Sequence, residues 1–571
     1  MIKKTTVLLC GLLLGAISHA QATDSASSAT QQEAVAEFNW FEYIGKDRQF
    51  ASELPDRTYQ NPILPGFYPD PSITRKGEDY YLVNSSFAYT PGLPVLHSKN
   101  LVDWQLVGHA LTSENAIDFT GLELSRGIFA PTIRYHDGLF YIITTAVDAG
   151  GNFIITAKDP AGPWSSPIWL PEVGGIDPDL FFDDNGKAYI AHNDAPPEAP
   201  LYDGHRAIWL WEYDVKQQKV KAGSRRLLIN GGTDIAEQPV WIEGPHIYHI
   251  NGWYYLTCAQ GGTSVNHSQV VFRTRSLTEE FVPYQHNPIL TQKDLPREKQ
   301  VVSATGHADF IQTAEGDWWS VFLATRPYQD DHYNTGRETF LLPVHWEDEW
   351  PHILPPGETV PLTPRRPAIA PDINTKQPLA RNFSWRDEFS GRRLNPLWIS
   401  VKDFARDWVS LSNGVLQLHP QTASLRDLGG VSYLGRRQQH QRFTARTQLA
   451  MPASDTAAGL AVYQNETHHY QLLLSENITN DAKAYQVSLY KVSPTGKALV
   501  AQKTIDKPAS AVVLQVDVDG SKAYFSYQQD GQNTPLGEAQ DARHLSTASA
   551  GGFVGATVGM MALQADNQST H

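Results

Sequence analysis

The sequence predicts an all-β protein, a five-bladed β-propeller followed by a β-sandwich. Three observations carry that prediction. From about Tyr59, short aromatic and β-branched runs alternate with Gly, Asp, Asn and Pro turns, and no long amphipathic helix interrupts them. Five of these runs repeat one design at blade-sized intervals. Eight prolines between positions 351 and 378 then separate the repeats from a second β-rich region, which extends from about Phe383 to Leu563.

The repeat is visible in five paired strands: Tyr80-Tyr81-Leu82, Phe140-Tyr141-Ile142, Ala188-Tyr189-Ile190, Tyr254-Tyr255-Leu256 and Trp318-Trp319-Ser320. Each follows a turn glycine, namely Gly77, Gly138, Gly186, Gly252 and Gly316. Counting back 11 or 12 residues from the middle of each run gives Asp70, Phe129, Asp177, Glu243 and His307. Each of these opens a short strand. Successive repeats are 60, 48, 66 and 64 residues apart. The first strand of every propeller blade lines the central channel, so residues at one repeat position form a ring around the axis. The register therefore predicts that Asp70, Asp177 and Glu243 face one another, with His307 beside them and Phe129 as an apolar wall.

In the second region, strands are predicted at 414–418, 443–451, 470–474 and 485–492. A hairpin over 512–527 is expected to turn at Asp519-Gly520. Residues 1–22 read as a signal peptide. Lys3 and Lys4 precede an apolar run at 7–17, and small residues follow at a cleavage site. The expected division is signal peptide 1–22, leader 23–56, propeller 57–362, linker 363–382 and sandwich 383–571. Localisation is expected to be secreted or periplasmic. No stretch is long and apolar enough to span a bilayer. Of the two cysteines, Cys10 lies in the apolar run, and Cys258 is expected as a buried thiol.

Composition narrows the function. The chain of 571 residues is 41% hydrophobic and 19% charged, the range of a globular protein with more than one core. A net charge of −15 argues against a partner that presents phosphates. Neutral ligands such as oligosaccharides remain, and aromatic residues at 11% of the chain supply flat surfaces for them. Three carboxylates around one narrow cavity repel one another, which opposes stability and points to chemistry. Glycoside hydrolysis requires a protonated acid for the leaving oxygen and an ionised base for water. A third carboxylate can keep the acid protonated.

Asn61-Pro-Ile-Leu-Pro-Gly-Phe-Tyr-Pro-Asp70-Pro-Ser-Ile resembles the opening motif of glycoside hydrolase family 43. Gly175-Ile-Asp177-Pro-Asp-Leu-Phe-Phe-Asp-Asp-Asn-Gly and Glu243-Gly-Pro-His-Ile resemble its next two motifs. The resemblance implies Asp70 as general base, Asp177 as pKa modulator and orienter, and Glu243 as general acid. It implies inverting hydrolysis of β-D-xylosides or α-L-arabinofuranosides, released from chain ends of xylan-derived oligosaccharides or from arabinoxylan side chains. Arg337 in Gly336-Arg337-Glu-Thr is then expected to reach a sugar hydroxyl, with Phe87 and Phe129 as further substrate contacts. Thr305-Gly-His307-Ala-Asp resembles the family's channel histidine, often found near a bound calcium, so His307 is the expected metal contact. No cofactor is expected to be required. Many family members carry Trp where this chain has Phe129.

The second domain resembles the concanavalin-like sandwich of the family's xylosidases. The matching stretches are Trp385-Arg-Asp-Glu-Phe-Ser-Gly-Arg-Arg-Leu-Asn-Pro-Leu-Trp398, Leu434-Gly-Arg-Arg-Gln-Gln and Phe553-Val-Gly-Ala-Thr-Val-Gly-Met. A sandwich loop at 425–431 is the expected closure of one side of the pocket. The alternatives are an arabinan-directed hydrolase and a non-catalytic carbohydrate-binding protein. The second gives no reason to gather three acids in register. A fructan-cleaving propeller is disfavoured, because it resembles Asn-Asp-Pro-Asn-Gly where this chain has Tyr68-Pro-Asp70-Pro-Ser.

Overall fold

Five sheets of antiparallel strands follow one another along the first half of the chain, in a computed structural model that describes residues 34–369, 379–479, 482–505 and 509–565. The signal-peptide residues lie outside the described residues. Each blade opens with an inner strand: Ser72–Lys76, Thr132–His136, Ile176–Phe182, Glu243–Ile250 and Ser303–Gln312. Each inner strand pairs with the aromatic strand read from the repeat, Asp79–Val83, Leu139–Val147, Ala188–Asp194, Trp253–Gln260 and Trp318–Thr325 respectively. The five turn glycines all sit at positive φ, from 64° to 97°, where a side chain would be strained.

The ring closes through the chain that precedes the first blade. Leu64 and Thr339 exchange backbone hydrogen bonds at 3.2 Å, so this segment runs beside the last blade's strand Glu338–Glu347. The Asn61 side chain accepts from the Leu341 amide at 3.0 Å and donates to the Leu341 carbonyl at 2.9 Å. The Asn-Pro opening motif is thus the clasp of the propeller.

The second half forms two packed sheets. One contains Tyr433–Arg437, Thr557–Gln564, Thr456–Asn465, His468–Thr479, Ala482–Ser493 and Gly496–Ile505. In the other, Arg442–Ala450, Ala511–Asp519 and Lys522–Gln529 are neighbours, and the last two turn at Gly520 as the sequence predicts. That sheet also corrects the expected leader at 23–56. Ala36–Gly45 is a strand inside it, paired with Arg442–Ala450 on one side and with Val415–Leu418 and Ser384–Asp387 on the other. Its Phe38, Phe41 and Tyr43 are buried in the sandwich core. A bulge between Phe38 and Trp40 shifts the inward face by one residue, which breaks the period-two pattern that announces a strand.

Propeller and sandwich are not independent bodies, since residues from 34 onward form one compact unit. Ser400–Val401 pairs with Tyr89–Thr90 of the propeller. One hydrophobic cluster runs from Phe67, Phe87 and Tyr89 through Ile128 to Tyr433, Tyr463, Val554 and Met561. The expected linker at 363–382 is partly strapped down. Arg366 donates from its backbone to Arg57 at 2.8 Å and pairs with Asp103 at 2.6 Å, and Leu379 is buried.

Candidate active site

Asp70, Phe129, Asp177, Glu243 and His307 all line one cavity of about 360 Å³, as the register predicts. Their aim comes from a shared local device. Asp70, Asp177 and His307 sit at φ of 51°, 55° and 53°, and Gly244 beside Glu243 sits at 55°. Strand pairing shifts register between Ile176 and Asp179, between Glu243 and His246, and twice between Ser303 and Asp309. A bulge of this kind turns one side chain out of the sheet plane and toward the axis. Left-handed backbone at a non-glycine residue costs of order 1–3 kcal/mol, so the surrounding fold imposes it.

The three carboxyls stand in unlike surroundings. Asp70 accepts from Ser85 Oγ at 2.5 Å and from Arg337 Nη1, and His307 Nδ1 lies 3.8 Å away. Burial alone would raise its pKa, but Arg337, His307, the Ser85 hydroxyl and His267 outweigh burial and hold it below the usual carboxylate value. Asp177 is pushed up to about 8 by burial and by the charge of Asp70, partly offset by Arg337 and the Gly244 amide. Glu243 is raised well above the ordinary glutamate value by burial, then by Asp177 and Asp70, against the pull of Arg337 and the Trp241 side chain. One cavity therefore holds an ionised carboxylate and a protonated carboxylic acid at the same pH.

Arg337 and Phe87 also line the cavity. Arg337 is buried, and its Nε, itself shut off from solvent, has no protein partner among the described residues. Phe87 and Phe129 meet edge-on at 5.5 Å. The third ring of this apolar wall is Phe553, from the sandwich, 6.1 Å from Phe87 and 5.6 Å from Phe129. Phe553 replaces the expected loop 425–431 as the sandwich's contribution. Leu425 and Val431 are instead buried in the core between the domains, and the Leu428 carbonyl accepts from Gly121 at 2.9 Å. The segment that carries Phe553 is docked at close range. A side chain on Gly555 would come within 2.6 Å of the Thr335 carbonyl oxygen, and the Ala556 amide donates to Asn334 at 2.7 Å. Trp241 was also missed, although it stands only two residues before Glu243; it lines the cavity, half-buried.

One layer below the acids, a buried network ties all five blades together. Arg134 of the second blade donates to Asp179 of the third at 2.6 Å and to Asp309 of the fifth at 2.9 Å. Asp309 also accepts from Ser72 of the first blade at 2.6 Å and from Tyr248 of the fourth at 2.7 Å. Arg134 outweighs burial and holds Asp309 well below the usual carboxylate range. Ser72, Asp179 and Asp309 each lie two residues beyond a ring residue, on the same face of the inner strand. Advanced by two, the register count that found the ring finds these three members of the layer, but not Arg134 or Tyr248.

The residues around His307 do not fit a cation held by protein ligands. Among the described residues, no group of three or more His, Cys, Asp or Glu side chains is placed to hold a metal ion. Its carboxylate neighbour, Asp70, is already engaged by Arg337 and Ser85. Burial pushes the His307 pKa down to about 3 against the opposing charge of Asp70, so the ring is neutral, and the Arg337 guanidinium lies nearby. Cys258 is buried, as expected.

Known proteins share this fold over most of the chain. Residues 59–351 match the model for glycosyl hydrolases family 43, and residues 386–571 match the beta xylosidase C-terminal concanavalin A-like domain. A xylosidase/arabinosidase from Butyrivibrio fibrisolvens is 38% identical over 514 residues, covering 88% of this chain and 95% of its own. A non-reducing end alpha-L-arabinofuranosidase from Bacteroides ovatus is 35% identical, covering 89% and 92%. Among solved structures, a GH43_12 protein retrieved from capybara gut metagenome superposes with a TM-score of 0.87 at 39% identity, over 93% of this chain and all of that one. A xylan beta-1,4-xylosidase from Bacillus halodurans superposes with a TM-score of 0.80 at 30% identity, over 89% and 97%. By the match of both domains and the extent of these likenesses, the chain belongs to glycosyl hydrolases family 43 and is a glycoside hydrolase.

Proposed function

We propose that this enzyme is an exo-acting, inverting hydrolase that releases β-D-xylose, α-L-arabinofuranose or both from xylan-derived oligosaccharides or arabinoxylan side chains. The observation that carries the proposal is the split between Asp70, held ionised, and Glu243, held protonated, in one cavity. Glu243 gives its proton to the departing glycosidic oxygen, so the leaving sugar departs as a neutral alcohol. Asp70 takes a proton from a water molecule, which attacks the anomeric carbon from the opposite face. One proton enters and one leaves, and the two carboxyls exchange states. Asp177 and Glu243 resist becoming charged together, so once Asp177 ionises Glu243 holds its proton more tightly.

Arg337, Phe87 and Phe129 hold the glycone. The arginine borders the cavity with its guanidinium, and the rings supply an apolar wall. The Phe553 wall supports action at chain ends or side chains, because the sandwich closes in on the cavity there. The names of the relatives support both sugars. Asp70 and Glu243 belong to the first and fourth blades, which are not neighbours in a ring of five. That placement supports the wide separation that an inverting pair needs, roughly 6.5–9.5 Å. The N-terminal lysines and apolar run support export to the periplasm or beyond.

Proton NMR of fresh product tests the stereochemistry. A β-xyloside should give α-xylose before mutarotation, and initial β-xylose would remove Asp70 from the role of base. Glu243→Ala tests the acid. Its loss should be severe on natural glycosides and much milder on a substrate whose leaving group needs no proton. Equal loss on both would remove Glu243 from that role.

A further inference from the structure

The cavity has two unlike sides. On the Asp70 side, the Arg337 guanidinium lies 5.8 Å from the rings of both Phe87 and Phe553. On the Glu243 side stand Val240, Trp241, Gly262 and Thr263. The Trp241 side chain stands near enough to the Glu243 carboxyl to favour its ionised form slightly. The Arg206 guanidinium lies over the Trp241 ring at 4.9 Å. Arg206 is itself fixed, since Nε and Nη2 both donate to Asn193 Oδ1, at 3.1 and 2.8 Å, and Asn193 Nδ2 donates to the Ile242 carbonyl.

The backbone around the indole is also held. The Trp241 amide donates to Gly204 at 2.8 Å, the Gly261 amide to Val240 at 2.8 Å, and the Tyr202 hydroxyl to Pro239 at 3.0 Å. Trp241 sits at φ 55°, a left-handed conformation that a bulky residue adopts only where its surroundings impose it. Burial falls steadily along this side. Glu243 is 7% exposed, Trp241 is half-buried and Val240 is 47% exposed. The path from the acid to solvent therefore passes over an indole that the fold has fixed in place.

We propose that Trp241, braced by Arg206, is the platform for the leaving-group sugar and sets how strongly the enzyme prefers a sugar over a smaller leaving group. The proposal rests on Glu243 being the acid, because the acid must stand beside the oxygen that departs. The sugar attached to that oxygen then lies outward of Glu243, against the Trp241 ring. Its ligand class is the pyranose face of the next residue in a xylo-oligosaccharide or xylan backbone. A ring held by a stacked guanidinium loses little freedom when a sugar settles against it, which makes it a pre-organised surface.

The test compares two substrates with the same glycone. One is a disaccharide such as xylobiose. The other is the corresponding glycosyl fluoride, which has no second ring and whose leaving group needs little help from an acid. Trp241→Ala should lower the ratio of kcat/KM for disaccharide over fluoride by roughly tenfold, the scale of one aromatic stacking contact. Trp241→Phe keeps a ring but not the indole N–H, and should recover most of that ratio. Equal losses on both substrates, or no loss, would overturn the platform. If Trp241→Phe behaves like Trp241→Ala, the indole N–H is what matters and the platform is again overturned. Glu243→Ala, run on the same pair, reports on the acid separately. If it harms both substrates equally, the acid assignment fails, whatever Trp241 shows.

Discussion

At the scale of single residues, the site works by giving three similar carboxyls different company. Asp70 has a guanidinium, a hydroxyl and an imidazole beside it, while Glu243 has burial and two other acids. Asp70→Ala removes the base, and turnover should fall by roughly 10²–10⁴-fold in steady-state kinetics. The pH profile follows from the same contrast. Activity needs Asp70 ionised and Glu243 protonated. The depressed Asp70 pKa therefore places the acid limb at low pH, and the raised Glu243 pKa extends the alkaline limb upward. Above about pH 8 Asp177 is ionised and its charge holds Glu243 protonated; Asp177→Asn removes that charge, so Glu243 should ionise at lower pH. The alkaline limb of kcat/KM should move down; an unmoved or rising limb would show that Asp177 does not tune the acid. Phe553→Ala opens the apolar wall and should raise KM by roughly tenfold, with a smaller effect on kcat.

At the scale of elements, the strand Ala36–Gly45 decides how the chain is organised. It lies far from the sandwich in sequence, yet it is an inner strand of one sandwich sheet. Phe41 is fully buried there, with its ring 5.0 Å from Trp398. Phe41→Ala should destabilise the fold by about 3–5 kcal/mol, read as a loss in denaturant or thermal midpoint. A midpoint within experimental error of the parent would show that the strand is dispensable. The sequence of this strand was readable in part, since Phe38, Trp40, Phe41 and Tyr43 are strand-forming residues. The bulge at Trp40 and the distance from its partners concealed it. The catalytic strands were the opposite case. Their turn glycines and paired aromatics recur five times, so the repeat could be counted without knowing any contact.

At the scale of the whole molecule, the sandwich completes the active site rather than hanging from it. It contributes Phe553 to the cavity and shares a hydrophobic cluster with the first two blades. Arg326, on the propeller side, is buried between Glu338 at 2.6 Å and Asp47 at 3.2 Å, and Asp47 in turn accepts from the Arg442 amide at 2.7 Å. Cutting the chain after residue 362 would leave Tyr89 and Ile128 facing water and Arg326 short of its surroundings. The isolated stretch 57–362 should be aggregation-prone and inactive, measured by soluble yield and assay. A soluble, active propeller alone would show that the shared core is not required.

The sequence by itself determined the number of blades, the ring of Asp70, Phe129, Asp177, Glu243 and His307, and the family resemblance, because repetition converts sequence spacing into angular position about an axis. Only the tertiary structure decided that Phe553 rather than the 425–431 loop enters the cavity, that residues 36–45 belong to the sandwich, and that Arg206 and Trp241 stand beside the acid. The first two depend on segments that meet once, across hundreds of residues, and the third on a stacking contact that no repeat reveals. The protonation states belong to the same class. Whether a carboxyl is ionised depends on burial and on neighbours from other blades, and both exist only after the ring has closed.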